Sequence, residues 1–313
     1  MRVFITGIAG FIGFHTALHY KKKGWDVWGI DNFNDYYDPK LKRKREQLLK
    51  EQKIKVLEGD IRSDKWGGYV PDIDLVIHLA AMAGIRESID HPEEYIDVNI
   101  VGTQNVIRWC EERDIKEVIY ASTSCVMQGN PLPWNESEKL CNHLSPYGYT
   151  KATNEQQFNL SKIKNAIGLR FFTVYGPWGR PDMALFTFTK NILNGKPITV
   201  FNNGDMSRDF TYIDDIVQGI WLVSQNMTKR DIYNIGYGKQ VELMYFIKRI
   251  EEELGIQAEI EFAPAHPADA KETWSDTAKL QKLGYEPTTP IDKGVYEFVR
   301  WYRSYYEYSN SWT

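Results

Sequence analysis

A glycine-rich turn stands between an apolar strand and a helix at the start of the chain. Val3 to Thr6 predicts a buried strand, Gly7-Ile8-Ala9-Gly10-Phe11-Ile12-Gly13 follows it directly, and a helix is predicted from about Phe11. Glycines at these spacings allow a tight turn, a close approach of the backbone to a phosphate group, and close packing of the helix on the strand. The positive end of the helix also favours an anion. The turn therefore predicts a phosphate-binding site that opens an α/β fold.

Short apolar runs alternate with amphipathic stretches through the first half of the chain. Such alternation predicts a parallel sheet covered by helices on both faces, because the crossovers between parallel strands are right-handed. We expect a Rossmann-like, doubly wound parallel sheet. The later strands are predicted at Asp26–Ile30, Ile54–Leu57, Leu75–Leu79, Glu117–Tyr120 and Ala166–Phe171, and the later helices from about Lys40, over Tyr95–Glu112 and from about Pro146.

The alternation breaks down beyond Gly176, where prolines and scattered glycines interrupt the pattern. A second, smaller α/β domain that binds the substrate is expected there. The stretch from about Arg208 to Gly236 again has the pattern of a strand, a helix and a strand. We therefore expect residues 1–173 plus about 208–236 to form one domain, which carries the phosphate-binding turn, and about 174–207 plus 237–313 to form the second, substrate-binding domain.

Charge and hydropathy exclude several classes of partner. The 313 residues carry a formal net charge of -4 and no long basic stripe, so nucleic acid is not an expected partner. The basic run Lys40 to Arg45 predicts a solvated helix face with no role in binding. No apolar run approaches the length of a membrane span, so no membrane partner is expected.

The three cysteines are Cys110, Cys125 and Cys141. Their odd number and irregular spacing match neither a disulfide framework nor a metal site, so we predict no metal and a reducing compartment. With no cleavable signal at the N-terminus, the expected location is the cytoplasm.

An acidic residue follows the glycine turn at the distance typical of dinucleotide sites. Asp31 ends the second strand about 20 residues beyond Gly13. A carboxylate there accepts hydrogen bonds from the adenosine ribose hydroxyls and repels a 2′-phosphate, so NAD is favoured over NADP. The residues predicted to bind NAD are Gly7, Gly10, Phe11, Ile12, Gly13, Asp31, Asn32, Asp60, Ile61, Leu79, Ala80, Ala81, Asn99, Tyr147 and Lys151.

Tyr147 and Lys151 are four residues apart on a predicted helix, so their side chains share one face. A lysine ammonium beside a phenol stabilises the phenolate and lowers its pKa from about 10 toward neutrality, which would let the tyrosine act as a general base toward an alcohol. The fifth strand ends in Ser122-Thr123-Ser124-Cys125, which presents hydroxyl groups at the sheet edge where ligands bind. These residues predict a site that oxidises an alcohol.

The order of these features resembles the extended short-chain dehydrogenases/reductases over nearly the whole chain. The sequence is similar in particular to UDP-glucuronate 4-epimerases, a family that forms dimers through paired helices, and we therefore expect a homodimer. The resemblance is carried by residues 31–38 (DNFNDYYD), 83–86 (AGIR), 175–183 (YGPWGRPDM) and 208–215 (RDFTYIDD).

The resemblance implies a role for each matching residue. Tyr147 is expected to be the base, Lys151 its helper and a ligand of the nicotinamide ribose, and Thr123 the hydroxyl beside the sugar 4-hydroxyl. Arg208 is expected at the diphosphate, and Asp269 and Thr273 near the uridine. The residues implied to bind substrate are Arg86, Thr123, Ser124, Cys125, Thr173, Arg180, Arg208, Asp269 and Thr273.

The residues beside the sugar favour one outcome. Related decarboxylases and dehydratases have an acidic side chain after the threonine, whereas Ser124 and Cys125 stand here. Thr173 replaces the asparagine usual in neutral-hexose epimerases and would suit a carboxylate. We expect 4-epimerisation of UDP-glucuronate to UDP-galacturonate through a 4-keto sugar. Cys125 and the stretch Val126-Met127-Gln128 depart from the family pattern. A UDP-glucose or UDP-N-acetylglucosamine 4-epimerase, a UDP-glucuronate decarboxylase and a non-enzymatic NAD-sensing regulator remain alternatives.

Overall fold

The computed structural model describes residues 1–63, 70–140 and 144–309, so Cys141 lies outside the described residues. The strands are β1 Arg2–Thr6, β2 Asp26–Asp31, β3 Lys55–Glu58, β4 Leu75–His78, β5 Glu117–Thr123, β6 Asn165–Phe171, β7 Thr173–Tyr175, β8 Ile198–Phe201, β9 Ser207–Arg208, β10 Phe210–Tyr212, β11 Asp231–Ile235, β12 Val241–Glu242 and β13 Ile260–Ala263. The helices are α1 Phe11–Lys22, α2 Pro39–Glu51, α3 Glu87–Asp90, α4 Pro92–Tyr95, α5 Thr103–Glu112, α6 Pro146–Leu160, α7 Ala184–Leu193, α8 Ile213–Ser224, α9 Leu243–Leu254, α10 Ala278–Gln281 and α11 Ile291–Ser309.

Seven strands form one parallel sheet in the order β11-β6-β5-β4-β1-β2-β3. β1 lies inside the sheet, where Val3 is opposite Val27 of β2 and Leu75 of β4. The strands β2 and β3 lie on one side of β1, and β4, β5, β6 and β11 lie on the other, so the strand order reverses at β1. Open sheets of this kind bind ligands at the carboxyl ends of the strands beside such a switch point. The predicted Rossmann-like doubly wound sheet is confirmed. β5 continues three residues beyond its predicted end and carries its hydroxyl groups to the sheet edge.

The helix predicted over residues 95–112 is three segments. α4 leads into a π-helix over Ile96–Gly102, and α5 begins at Thr103. A π-helical turn shifts the backbone register and frees carbonyl groups, and it is common at functional sites. The side chains of Asn154 and Gln157 on α6 donate hydrogen bonds to the carbonyls of Asn99 and Ile100 at 2.6 Å and 3.0 Å. The irregular segment is therefore fastened to the helix that carries Tyr147 and Lys151.

The smaller part of the protein is built from short ladders and helices. β7 pairs with β10, β8 with β13, and β9 with β12. α8 packs on α1, and β11 completes the large sheet beside β6. The aromatic face of α11 packs on the body, with the Trp301 ring tilted against that of Trp178 at a ring distance of 5.2 Å. No helix within the described ranges is both long and apolar enough to cross a membrane.

The basic run on α2 is only partly a solvated face, which corrects the sequence-based expectation: Lys40 and Arg43 are exposed, but two other basic side chains are not. Lys42 and Arg45 are both buried, and Arg45 is 0% exposed. The Arg45 guanidinium donates hydrogen bonds to the Ala9 carbonyl at 2.9 Å and to the Trp178 carbonyl at 2.6 Å. Periodicity could not reveal this role, because both carbonyls lie far from α2 in sequence. His15 adds a parallel contact to the Pro177 carbonyl at 3.0 Å. Arg45 thus ties the glycine turn to the segment after β7.

Replacement of this arginine tests the tie. Arg45→Met leaves the Ala9 and Trp178 carbonyls without their donor, so we expect the free energy of unfolding to fall by about 3 kcal/mol. Arg43→Met on the exposed face of the same helix is the matched control and should unfold close to wild type. Urea denaturation measures both. Equal stability of the two variants would contradict the tie.

Candidate active site

The glycine turn leaves no room for side chains. Gly7 has a φ of 71°, and a Cβ on it would lie 2.9 Å from the Ala80 backbone. A Cβ on Gly13 would lie 2.1 Å from the Gly7 carbonyl oxygen. The predicted cofactor residues of the turn and of the loop after β4 are therefore brought together, with Leu79 and Ala81 flanking Ala80. This bare backbone at the start of α1, which begins with Phe11 and Ile12, fits the pyrophosphate of NAD.

Asp31 stands at the carboxyl end of β2 with its carboxylate buried. The carboxylate accepts hydrogen bonds from the backbone of Ala9 at 3.1 Å and of Phe33 at 2.9 Å. The Lys42 ammonium lies 3.9 Å away, and burial lowers the pKa of that lysine. Asp31 therefore organises the end of the glycine turn, and its position also fits the ribose contact expected of it.

Asp60 and Asn32 meet beside this edge. The Asn32 amide donates to the Asp60 carboxylate at 2.9 Å, and Arg62 forms an ion pair with the same carboxylate at 2.8 Å. These contacts outweigh desolvation by partial burial and lower the pKa of Asp60 to about 2, so it is ionised at neutral pH. Ile61 is buried next to them. The group lies where the adenosine end was predicted.

Asn99 is fully buried in the π-helical segment. Its side chain accepts from the Met82 backbone at 2.8 Å and donates to the Met82 carbonyl at 3.0 Å and to the Thr150 hydroxyl at 3.1 Å. Asn99 therefore joins the loop after β4 to α6. It thereby links the loop that follows β4 and the helix that carries Tyr147 and Lys151.

Tyr147 stands in the first turn of helix α6. Ser145 caps the helix by accepting from the Gly148 backbone at 3.2 Å, and Pro146 occupies the first turn. The Tyr147 side chain lies near the end of β5, where the Thr123 hydroxyl is close enough to the phenol to lower the pKa of Tyr147. The structure thus brings together the two residues that the sequence analysis placed at the sugar 4-hydroxyl.

The pKa of Tyr147 differs from the expectation. It is raised to about 12, chiefly by burial and also by the nearby Cys125, whereas Thr123 and the charge of Arg180 act to lower it. The spacing of Tyr147 and Lys151 alone predicted a lowered pKa. Burial dominates because a phenolate is costly in an apolar environment, so positive charge close to the phenol is needed to make it a base.

Lys151 lies one turn further along α6 and is 2% exposed. Burial lowers its pKa to about 8, and the charge of Glu155 opposes that effect. At neutral pH Lys151 therefore carries an ammonium group in the interior. That group can stabilise a phenolate and donate hydrogen bonds to a ribose.

The sequence analysis missed a buried ion pair beneath Lys151. Glu155 and Arg170 are 2.9 Å apart, with side chains 2% and 3% exposed. Ser122, the residue before Thr123, donates to the same Glu155 carboxylate at 2.6 Å. Glu155 could have been found by extending the four-residue spacing of Tyr147 and Lys151 by one more step. Its partner on β6 has no signal in the sequence.

The predicted substrate residues continue from Tyr147 toward the second domain. Burial raises the pKa of the Cys125 thiol, and the charge of the nearby Arg208 acts to lower it. Cys125 is also close enough to Tyr147 to raise the pKa of that phenol. Asp269 interacts with Arg208 and forms an ion pair with Arg86 at 2.6 Å. Arg86 also stacks on the Phe201 ring at 3.8 Å. The structure thus places Cys125, Arg208, Asp269 and Arg86 in one connected series, with Ser124 buried beside Cys125.

Arg180 bridges the two parts of the protein. It donates to the Ala83 carbonyl and to the Asp182 carboxylate, each at 2.5 Å. Its charge lowers the pKa of Tyr147, so it lies on the catalytic side of the cleft. Arg180, Thr173 and Phe11 also line one small cavity.

Thr273 is buried, and its hydroxyl accepts a hydrogen bond from the Asp209 backbone at 3.1 Å. The neighbouring Arg208 donates to the carbonyls of Ser207 and Lys271, both at 2.9 Å. Thr273 therefore supports the strand that carries Arg208. No group of three or more possible metal-binding side chains occurs in the part of the chain that the structure describes.

Comparison with known proteins identifies the family of this constellation. The sequence model of the NAD dependent epimerase/dehydratase family matches residues 3–236. The chain is 39% identical to UDP-glucuronate 4-epimerase 1 of Arabidopsis thaliana, over 98% of this chain and 78% of that protein. The structure of UDP-glucuronic acid 4-epimerase from Bacillus cereus with UDP-glucuronic acid and NAD is similar with a TM-score of 0.90 and 33% identity, covering 98% of this chain and 100% of that one. A variant of that enzyme with NAD and a 4-deoxy-4-fluoro substrate analogue has a TM-score of 0.92 and 32% identity, with the same coverage.

The close packing at Gly13 yields a test of the cofactor site. Gly13→Ala forces the added Cβ against the Gly7 carbonyl, so we expect NAD affinity to fall at least about tenfold. Gly24→Ala controls for general strain, because Gly24 has a φ of 84° but no atom near its Cβ. Calorimetric titration with NAD measures both. Wild-type affinity in Gly13→Ala would show that the pyrophosphate binds elsewhere.

Proposed function

The chain belongs to the NAD-dependent epimerase/dehydratase family, and on that premise we propose that it interconverts UDP-glucuronate and UDP-galacturonate by epimerisation at C4 of the sugar, with NAD as its cofactor. One observation carries the proposal. Tyr147 is half-buried beside the Thr123 hydroxyl and lies one helical turn from Lys151, in a chain similar along nearly its whole length to UDP-glucuronate 4-epimerases.

The residues divide the proton chemistry among themselves. Thr123 lies beside the phenol oxygen and is positioned to hydrogen bond with the sugar 4-hydroxyl. Tyr147 accepts the proton of that hydroxyl and later returns it to the 4-keto oxygen. Lys151 and Arg180 supply the positive charge that favours the phenolate. NAD, when bound, would accept the C4 hydride and, after the 4-keto sugar has turned over, return it to the opposite face, so that C4 is inverted and NAD is not consumed.

The choice between epimerisation, elimination and decarboxylation depends on whether a carboxyl group lies next to Thr123. Ser124 and Cys125 provide no carboxyl group to assist elimination or to protonate a carbon, which favours return of the hydride to the keto sugar. We propose that Ser124 and Thr173 bind the glucuronate carboxylate through charge-assisted hydrogen bonds. A carboxylate held in this way is kept from the alignment in which a β-keto acid loses carbon dioxide.

The remaining predicted residues fit the nucleotide. We propose that Arg208, Arg86 and Arg180 bind the diphosphate, with Asp269 and Thr273 near the uridine. The ion pair of Arg86 with Asp269 would orient the arginine for a phosphate. Residues 1–173 with about 208–236 would form the NAD-binding domain, and about 174–207 with 237–313 the nucleotide-sugar-binding domain.

Product analysis separates the alternatives. With UDP-glucuronate, proton NMR should show UDP-galacturonate; UDP-xylose would identify a decarboxylase. Faster turnover of UDP-glucose or UDP-N-acetylglucosamine would overturn the acidic substrate. A regulator would bind NAD and convert none of these sugars.

Two tyrosines on α6 provide a matched test of the base. Tyr147→Phe removes the proton acceptor, so we expect kcat to fall by about a hundredfold to ten-thousandfold while NAD binding persists. Tyr149→Phe removes a hydroxyl two residues away and should retain wild-type kcat. Steady-state epimerisation and NAD titration measure both. Equal activity of the two variants would exclude Tyr147 as the base.

We also propose that the protein is a homodimer located in the cytoplasm. Ile96 and Val101 on the π-helical segment are 38% and 45% exposed, and Leu160 on the adjacent α6 is 82% exposed. Apolar side chains grouped on two neighbouring helices favour pairing with the same face of a second copy. Cys110 and Cys125 are free thiols, which suits a reducing compartment.

A charge introduced into the proposed interface tests whether the protein is a dimer. Val101→Glu places a carboxylate in the proposed interface, so we expect light scattering to give the 36.5 kDa monomer where wild type gives twice that mass. Phe262→Glu, at an exposed apolar residue on β13, is the control and should stay dimeric. A dimeric Val101→Glu variant would place the interface elsewhere.

A further inference from the structure

Glu155 is a buried carboxylate that the proposed reaction does not yet use. It follows Lys151 by four residues on α6, so both side chains lie on the same helix face, together with Tyr147. One carboxylate oxygen accepts from Ser122 at 2.6 Å and from Arg170 Nε at 2.9 Å, and the other accepts from Arg170 Nη2 at 2.9 Å. The carboxylate is therefore fixed by a bidentate arginine and by the residue next to Thr123.

Few other charges reach Lys151. His78 on β4 is fully buried, and its pKa of about 3 keeps it neutral. Burial raises the pKa values of Tyr95, Tyr120, Cys110, Cys125 and Tyr147, so these groups are also neutral at pH 7. The other charged residues of the elements around α6 lie at the surface or are half-buried, namely Glu87, Asp90, Glu93, Glu94, Asp97, Arg108, Glu111, Glu112 and Glu117.

We propose that Glu155 is a positioning residue of the epimerisation, the fixed counter-charge that keeps Lys151 an ammonium beside Tyr147. The effect of Glu155 on catalysis rests on the proposed function, whereas its effect on the charge of Lys151 can be measured without enzyme activity. A buried ammonium loses its proton readily unless a negative charge lies close by, because the interior solvates charge poorly. Burial lowers the pKa of Lys151 to about 8, and Glu155 acts in the opposite direction.

Ser122 and Arg170 give the carboxylate its position. Arg170 lies on β6 and Ser122 on β5, so Glu155 joins α6 to both strands. All of its strong contacts go to these two residues, and it acts on Lys151 through its field. Without that field, a larger fraction of Lys151 would be a neutral amine at working pH, and the Tyr147 phenolate would lose a stabilising charge.

The test is the titration of Lys151 in the full-length protein labelled with ¹⁵N-lysine. The Nζ resonance of Lys151 is assigned by its loss in Lys151→Arg. Glu155→Gln should lower the midpoint by about one pH unit. Arg170→Met, which disrupts the same ion pair but keeps the carboxylate, should not lower it. A midpoint unchanged in Glu155→Gln would overturn the proposal, and so would an equal fall in both variants, because that would reflect disruption of the pair alone.

A double variant addresses the case in which Glu155→Gln does not fold. Glu155→Gln leaves Arg170 buried without a counter-charge, whereas the double variant Glu155→Gln/Arg170→Met removes both charges. The double variant should fold and still show the lowered midpoint; a wild-type midpoint in it would overturn the proposal. In active protein, the alkaline limb of the kcat profile should move to lower pH with KM for UDP-glucuronate little changed. A wild-type protein without epimerase activity would defeat the proposed function, while the titration would still decide the role of Glu155.

Discussion

The site depends on an ammonium group kept charged inside the protein. Lys151 is almost fully buried, and Glu155, which lies one turn away and is held by Arg170 and Ser122, opposes the loss of its charge. Tyr147 lies one turn before Lys151 on the same helix, and burial is the main cause that raises its pKa to about 12. Chemistry at this phenol therefore requires positive charge to be concentrated around it, and the buried lysine provides that charge where water cannot screen it.

The fold brings the residues around this phenol to one edge of the sheet. β5 brings Thr123 to the carboxyl edge of the sheet, and the capped start of α6 brings Tyr147 to the same edge. Arg45 ties the glycine turn to the segment after β7, whose next residues include Arg180. Movement of either part would therefore change both the cofactor turn and the charge near Tyr147.

Much of this could be predicted from local patterns. Alternating strands and helices gave the doubly wound sheet, because each element has its own periodicity. The glycine turn, Asp31 and the spacing of Tyr147 and Lys151 predicted the residues of the candidate site, and their roles stay predictions. Long-range pairs could not be predicted in this way: the partners of Arg45 and Glu155 lie on distant segments, and burial reversed the expected pKa shift of Tyr147. The π-helical turn was missed because its hydrophobic pattern resembles that of an α-helix.

The fate of the C4 hydrogen tests the central claim that a sugar alcohol is oxidised and reduced again without leaving the site. UDP-glucuronate deuterated at C4 would be incubated with the protein, and the products analysed by NMR and mass spectrometry. The account predicts UDP-galacturonate that retains the deuterium at C4. Inverted product in which that deuterium has been replaced by solvent hydrogen would contradict it.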